Sequence, residues 1–155
     1  MKISAPLKLA VTRSSWTTAC FVMVYVLTGL SAAQDDATKK CLDCICYAST
    51  KCIANAPCDG YCGPFQISEA YWIDAGRPGG TPGYAQCAIN RSCAEDTIIS
   101  YMNKFGTDCD GDAQVTCDDY ARMHKAGRGG CSAPWVLDTP YWTQYTQCMQ
   151  GGSSG

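Results

Sequence analysis

Apolar residues recur at three- and four-residue spacing in several segments of the chain, as expected for amphipathic helices. The longest such segment predicts a helix over residues 87–105, which Gly106 would stop. Near the front, a shorter segment predicts a helix over residues 39–48, with Leu42 and Ile45 on its inward face. Helices therefore dominate the predicted secondary structure.

Two further helices carry start signals of their own. Thr116 followed by Asp119 matches a capping box, in which two side chains bind the first free amide groups of a helix. That helix should run to about Lys125. The last helix is predicted to begin with Thr139 as its cap and Pro140 at its first position.

The segment between the first helix and the rest is rich in Gly and Pro. Within it, Phe65, Gln66 and Ile67 alternate apolar and polar character, which predicts a short strand. Residues 77–83 contain five Gly or Pro residues and are predicted to form a surface loop. The predicted fold class is α+β, mostly helical, with a small β-lobe.

Cysteine usage adds a covalent framework to this fold. The chain has thirteen cysteines, and all except Cys20 fall in the segment that the predicted helices occupy. An even dozen in one small domain indicates disulfides and an oxidising, extracytoplasmic compartment, although the spacing leaves the pairing open. The twelve are Cys41, Cys44, Cys46, Cys52, Cys58, Cys62, Cys87, Cys93, Cys109, Cys117, Cys131 and Cys148.

Residues 1–33 have the composition of a secretory signal peptide. Three basic residues precede an apolar run, and Ser31-Ala32-Ala33 supplies small side chains for cleavage. A membrane anchor is the weaker interpretation, because the uncharged stretch falls short of the roughly 20 residues of a spanning helix. We therefore expect a secreted protein with a polar leader over 34–40, one domain over 41–149 and a flexible Gly/Ser tail over 150–155.

Charge narrows the possible partners. The formal net charge is −2, and three of the basic residues belong to the predicted signal peptide. An acidic mature chain has no long-range attraction for nucleic acid. We expect no nucleic-acid partner, no membrane association after signal cleavage, and a monomer.

Several short motifs, taken in order, resemble the invertebrate-type (i-type) lysozymes, a family that includes the destabilases. The motifs are Cys41-Leu42-Asp43-Cys44-Ile45-Cys46, Cys62-Gly63-Pro64-Phe65-Gln66-Ile67, Tyr71-Trp72-Ile73-Asp74, Asp119-Tyr120-Ala121-Arg122-Met123-His124 and Gly129-Gly130-Cys131. The resemblance implies a lysozyme-like fold with a cleft between a helical lobe and a β-lobe. It also implies a bacterial cell-wall glycan as partner and hydrolysis of its β-1,4 links between N-acetylmuramate and N-acetylglucosamine.

That chemistry requires two carboxyl groups, one held protonated as general acid and one ionised. The resemblance places the general acid at Ser49, and no Asp or Glu occurs between Asp43 and Asp59. For the second carboxylate only Asp59 is available, in a shortened loop, and its alternative role is in a turn with Gly60. We therefore expect weak or absent muramidase activity. The alternative is a non-catalytic glycan-binding protein of innate immunity or digestion.

Other candidate groups are weaker. Isopeptidase activity, which destabilases add through a Ser/Lys pair, is not expected, since Ser68 occupies the Lys position. His124 would interact with a helix end as a partly charged imidazole. Glu69 is not favoured as a substitute acid.

No metal or cofactor is expected. Asp108, Asp110 and Asp112 faintly resemble a calcium loop, but Ala113 replaces the glycine that such loops need. A solvated acidic loop is the favoured interpretation. The sequence identifies no substrate-binding residues.

Overall fold

The computed structural model describes residues 36–151, and the predicted signal peptide and Cys20 lie outside them. Within this range, the helices are α1 (36–50), α2 (Glu69–Asp74), α3 (Tyr84–Ile89), α4 (Arg91–Phe105), α5 (Cys117–Ala126) and α6 (Pro140–Met149). A 3-10 helix covers Pro134–Asp138, and strands β1 (Tyr61–Cys62) and β2 (Ile67–Ser68) pair antiparallel. Of the helices in residues 36–151, none has the length and apolar character needed to cross a membrane.

Helix α1 runs through the core of the domain. Leu42 and Ile45 are buried, so the predicted inward face is confirmed. Apolar side chains from almost every other element enclose this face, which removes their surface from water and stabilises the fold. The largest of them that are fully buried are Phe65, Ile67, Ile98, Met123 and Tyr145.

The predicted starts of α5 and α6 are confirmed. Thr116 and Asp119 form the reciprocal capping box of α5, and Gly127 ends that helix at a φ of 72°. The Thr139 side chain accepts a hydrogen bond from the Trp142 amide at 3.2 Å, ahead of α6. Both helices begin where the sequence places their caps because the capping groups are local.

The single helix predicted over residues 87–105 is wrong, because Asn90 divides it. Asn90 has an extended backbone (φ −82°, ψ 117°), and its side chain accepts from the Cys93 amide at 3.0 Å. This bond starts α4 afresh, since an Asn at the N-cap position satisfies one of the free amides. A disulfide between Cys87 and Cys93 spans the junction.

The predicted strand is only partly correct. Ile67 pairs with Cys62 in the sheet, but Phe65 and Gln66 belong to the turn that joins the two strands. Gln66 adopts a left-handed φ of 51°, and its amide donates to the carbonyl oxygens of Pro57 and Gly63. These side-chain bonds hold a turn that alternation of apolar and polar residues could not reveal. The loop predicted over 77–83 is confirmed.

Six disulfides join the twelve cysteines. Three of them start on α1 and tie it to the start of α5, to α6 and to its own C-terminal end. Such links stabilise a small domain whose core alone is modest. The pairs are Cys41–Cys117, Cys44–Cys148, Cys46–Cys52, Cys58–Cys62, Cys87–Cys93 and Cys109–Cys131. The predicted fold class, a small disulfide-rich α+β domain with a minor β-element, is confirmed.

Candidate functional site

Ser49 lies in the last turn of α1 and is partly buried. Its hydroxyl donates to the carbonyl oxygen of Ile45, one turn earlier, at 2.8 Å. A serine inside a helix commonly makes this bond, in which its hydroxyl donates to a backbone carbonyl oxygen one turn earlier in the same helix. At this position the chain therefore presents a hydroxyl that is already bonded, and no carboxyl group.

The neighbouring residues fix this end of α1 against the β-hairpin. The Thr50 hydroxyl donates to the carbonyl oxygen of Pro64, in the turn between β1 and β2, at 2.6 Å. Lys51 and Cys52 then follow with left-handed φ values of 60° and 57°, which ends the helix abruptly. Ser49 is thus held beside the turn of the hairpin.

Asp59 stands before β1 with an exposed side chain. Within residues 36–151 its carboxylate makes no hydrogen bond or ion pair. Gly60 has a left-handed φ of 77°, as a turn at this point requires. The shortened loop around Asp59 is therefore exposed to solvent.

Tyr84 holds the hairpin beside the candidate residues, a contact that sequence reasoning missed. Its hydroxyl donates to the carbonyl oxygen of Ile67 at 2.7 Å and lies 3.4 Å from that of Gly60. Burial, followed by the nearby charge of Glu69, raises the pKa of this phenol. Tyr84 thus joins the two strands at the end of the hairpin where Asp59 and Glu69 lie. A tyrosine after a Gly/Pro-rich loop carries no sequence signal for this contact.

Ser68 has a structural role. Its hydroxyl oxygen accepts from the backbone amide of Tyr71 at 3.2 Å and caps α2. At the position where destabilases would carry a lysine, this chain therefore has a helix cap.

His124 does not act as a charged partner of a helix end, so that expectation is wrong. Burial lowers the pKa of the imidazole to about 4, Lys125 adds to the lowering, and the Phe65 hydrogen bond opposes it. Nε2 lies 2.8 Å from the Phe65 carbonyl oxygen, which can only accept, so Nε2 carries the proton. Nδ1 is buried and, within residues 36–151, has no hydrogen-bond partner. Desolvation is therefore the dominant influence on this imidazole.

Acidification should therefore destabilise the protein through His124. Between about pH 6.5 and 4 the unfolded chain binds a proton that the folded imidazole rejects, so unfolding becomes easier as the pH falls. Above pH 6.5 the free energy of unfolding is not reduced by this effect, and the loss at low pH amounts to up to about 3 kcal/mol. Urea unfolding across this range should show a weaker pH dependence for His124→Gln than for the wild type. A ring resonance that titrates near the ordinary pKa in the folded protein would contradict this prediction.

The acidic loop after α4 is closed by its own carboxylates. Oxygens of Asp108, Asp110 and Asp112 come within 4.8 Å of one another. The Asp108 oxygens accept from the amides of Gly111 and Ala113 at 2.6 and 2.9 Å, and these bonds lower the pKa of Asp108. The carboxylates are thus used as loop-forming acceptors.

Comparison with known proteins supplies the family. The profile of the Destabilase family matches residues 38–148. A lysozyme of Ostrea edulis is 35% identical over 131 residues, covering 80% of this chain and 90% of that protein. Invertebrate-type lysozyme 2 of Caenorhabditis elegans is 30% identical and covers 83% of this chain and 96% of its own length.

Solved structures agree with the sequence match. The Meretrix lusoria lysozyme, crystallised in complex with PliI of Aeromonas hydrophila, superimposes with a TM-score of 0.60 at 34% identity. The match covers 70% of this chain and 87% of that one. The Tapes japonica lysozyme gives a TM-score of 0.58 at 30% identity, with the same coverage. Together, the family profile, the identity over most of the chain and the shared fold show that this chain belongs to the destabilase family of invertebrate-type lysozymes.

Proposed function

We propose that this chain is a secreted peptidoglycan-binding lysozyme relative with weak or absent muramidase activity. The observation that carries the proposal is Ser49, where the family resemblance places the general acid. A hydroxyl bonded to the Ile45 carbonyl has no proton to give near neutral pH. Loss of general acid catalysis typically costs about 10²–10⁴-fold in rate.

Four other carboxyl groups lack the features of a general acid. Asp43 is paired with Lys39 and Arg91 on the outer face of α1. The buried carboxylate of Asp119 is used in the capping box of α5. Asp59 and Glu69 are exposed, whereas a general acid is kept protonated by an apolar enclosure.

The remaining parts of the proposal concern location and partners. Six disulfides fit an oxidising compartment, which supports secretion and the assignment of residues 1–33 as its signal. Membership of a lysozyme family supports a bacterial cell-wall glycan as the partner. The proposal also includes a monomer, and the net charge of −2 supports the lack of affinity for nucleic acid.

The proposal predicts binding to insoluble peptidoglycan together with slow lysis. In a turbidity assay on bacterial cell walls, we expect lysis about 10²–10⁴-fold slower than that of an active i-type lysozyme. A pull-down on insoluble peptidoglycan should nevertheless retain the protein. Lysis at the rate of an active relative, abolished by Asp59→Asn, would overturn the inactive assignment. Failure to bind peptidoglycan at all would leave a purely structural protein.

Ser49→Glu tests whether the rest of the site is competent. The substitution restores a carboxyl group at the end of α1, and we expect lysis to exceed that of the wild type. Ser49→Gln is the matched control, because it has the same shape but no transferable proton. A gain with both variants would indicate an effect of size. No gain with either would place the second defect in the Asp59 loop.

A further inference from the structure

A modification motif lies at the junction of α3 and α4. Asn90, Arg91 and Ser92 form an Asn-x-Ser triplet with no proline at its centre, and the chain contains no other Asn-x-Ser/Thr triplet. In secreted proteins this triplet is the acceptor for N-linked glycans and is expected on the surface. We propose that Asn90 is an N-glycosylation site, an inference that rests on the secretion proposed above.

The acceptor is open to solvent. All three residues of the triplet are exposed. Arg91 at the centre is directed toward α1 and the next turn of α4, where it pairs with Asp43 and with Glu95. These ion pairs keep the long arginine side chain away from the asparagine. The triplet therefore offers Asn90 and Ser92 on an uncovered surface.

The two polar atoms of the Asn90 side chain have separate roles. Oδ1 accepts from the Cys93 amide at 3.0 Å and caps α4. Nδ2 donates to no group within residues 36–151. Glycosylation uses Nδ2 alone and leaves the carbonyl oxygen an acceptor, so the helix cap and the glycan are compatible. The glycan also starts next to Ile89, an apolar side chain that is 43% exposed, and shields it.

The reaction is a group transfer from a lipid-pyrophosphate oligosaccharide, the donor in the secretory pathway. A bond forms between Nδ2 and C1 of the first N-acetylglucosamine. The bond from C1 to the pyrophosphate oxygen breaks, and the lipid pyrophosphate leaves with the electron pair. Nδ2 releases one of its two hydrogens as a proton. The product is a secondary amide, which keeps Oδ1 bonded to the Cys93 amide.

Mass spectrometry of the secreted chain tests the inference. The full chain is expressed in a eukaryotic cell with its own residues 1–33 and, in parallel, behind a borrowed secretory signal. We expect the intact mass to exceed that of the polypeptide and to fall on digestion with a peptide-N-glycosidase. That enzyme converts the glycosylated asparagine to aspartate, so peptide mapping should find Asp at position 90.

Two variants separate the acceptor from the helix cap. Asn90→Asp keeps an N-cap side chain but has no acceptor nitrogen, so it should fold and lack the glycan. Ser92→Thr preserves the triplet and should remain glycosylated. Secreted protein with an unmodified Asn90 from both signals would overturn the inference and leave peptidoglycan binding untouched. Glycosylated protein from the borrowed signal alone would support the acceptor and contradict the proposed signal peptide.

Discussion

Replacing Gly63 by alanine is expected to lower the free energy of unfolding by about 3–5 kcal/mol. Gly63 lies in the turn between β1 and β2, with a left-handed φ of 70°. A Cβ atom there would stand 1.9 Å from the carbonyl oxygen of Ala88 and 2.6 Å from its carbon. Because both are backbone atoms of α3, no side-chain rotation can relieve the overlap, and the hairpin and α3 must separate.

Gly60→Ala is the matched control for this change. Gly60 has a similar φ of 77°, but a Cβ atom there meets nothing within 4 Å. Its cost should be the conformational strain alone, about 1–2 kcal/mol. Thermal unfolding of the oxidised proteins should show a loss of roughly 10–20 °C for Gly63→Ala. Equal losses for both variants would show that the close approach to α3 contributes nothing.

The close contact between the hairpin turn and α3 also positions the candidate site. Gly63 precedes Pro64, and the carbonyl oxygen of Pro64 accepts a hydrogen bond from the hydroxyl of Thr50, the residue after Ser49. Displacement of the turn in Gly63→Ala should therefore also weaken peptidoglycan binding, if Ser49 borders the glycan site. The motif that identified the family thus has a packing reason for its glycine, in addition to any role in binding.

Local signals account for the parts of the fold that the sequence predicted well. The caps at Thr116 and Thr139 lie within three residues of the groups they bind, so their pattern is visible along the chain. Asn90 offered a similar signal, since it also caps a helix three residues ahead. It was missed because apolar periodicity continues across the junction from α3 to α4. Side-chain competition for the backbone, rather than hydrophobic pattern, decides the break there.

Non-local contacts account for what the sequence could not predict. The neutral state of His124 depends on burial among aromatic rings, including Tyr71, and it persists although the Phe65 hydrogen bond favours the charged ring. The Tyr84 contacts with the hairpin likewise join residues far apart in the chain. At the candidate site, the resemblance to the family predicted a substituted general acid at Ser49, and this assignment stays a prediction. The bond of the Ser49 hydroxyl to the Ile45 carbonyl oxygen required the structure.

Asp119 provides the second large effect, because its buried carboxylate organises the acidic loop and α5 together. The residue has no exposed surface. One oxygen accepts from the Cys109 amide at 2.7 Å. The other accepts from the amide and hydroxyl of Thr116 at 2.7 and 3.2 Å. The capping pair was predicted from the sequence, whereas the bond to Cys109 crosses ten residues and was not.

Asp119→Ala is therefore expected to cost about 3–5 kcal/mol, since each unsatisfied buried donor costs about 1–3 kcal/mol. Asp119→Asn should cost less, because one side of the amide still accepts while its NH₂ group faces a donor. The control is Asp96→Ala, an exposed position on α4 whose carboxylate has no partner within residues 36–151. Urea unfolding at pH 7 measures the free energy of unfolding of the wild type and of the three variants. Similar stability for Asp119→Ala and Asp96→Ala would mean that water replaces the lost acceptor, and that the disulfides alone hold Cys109 against α5.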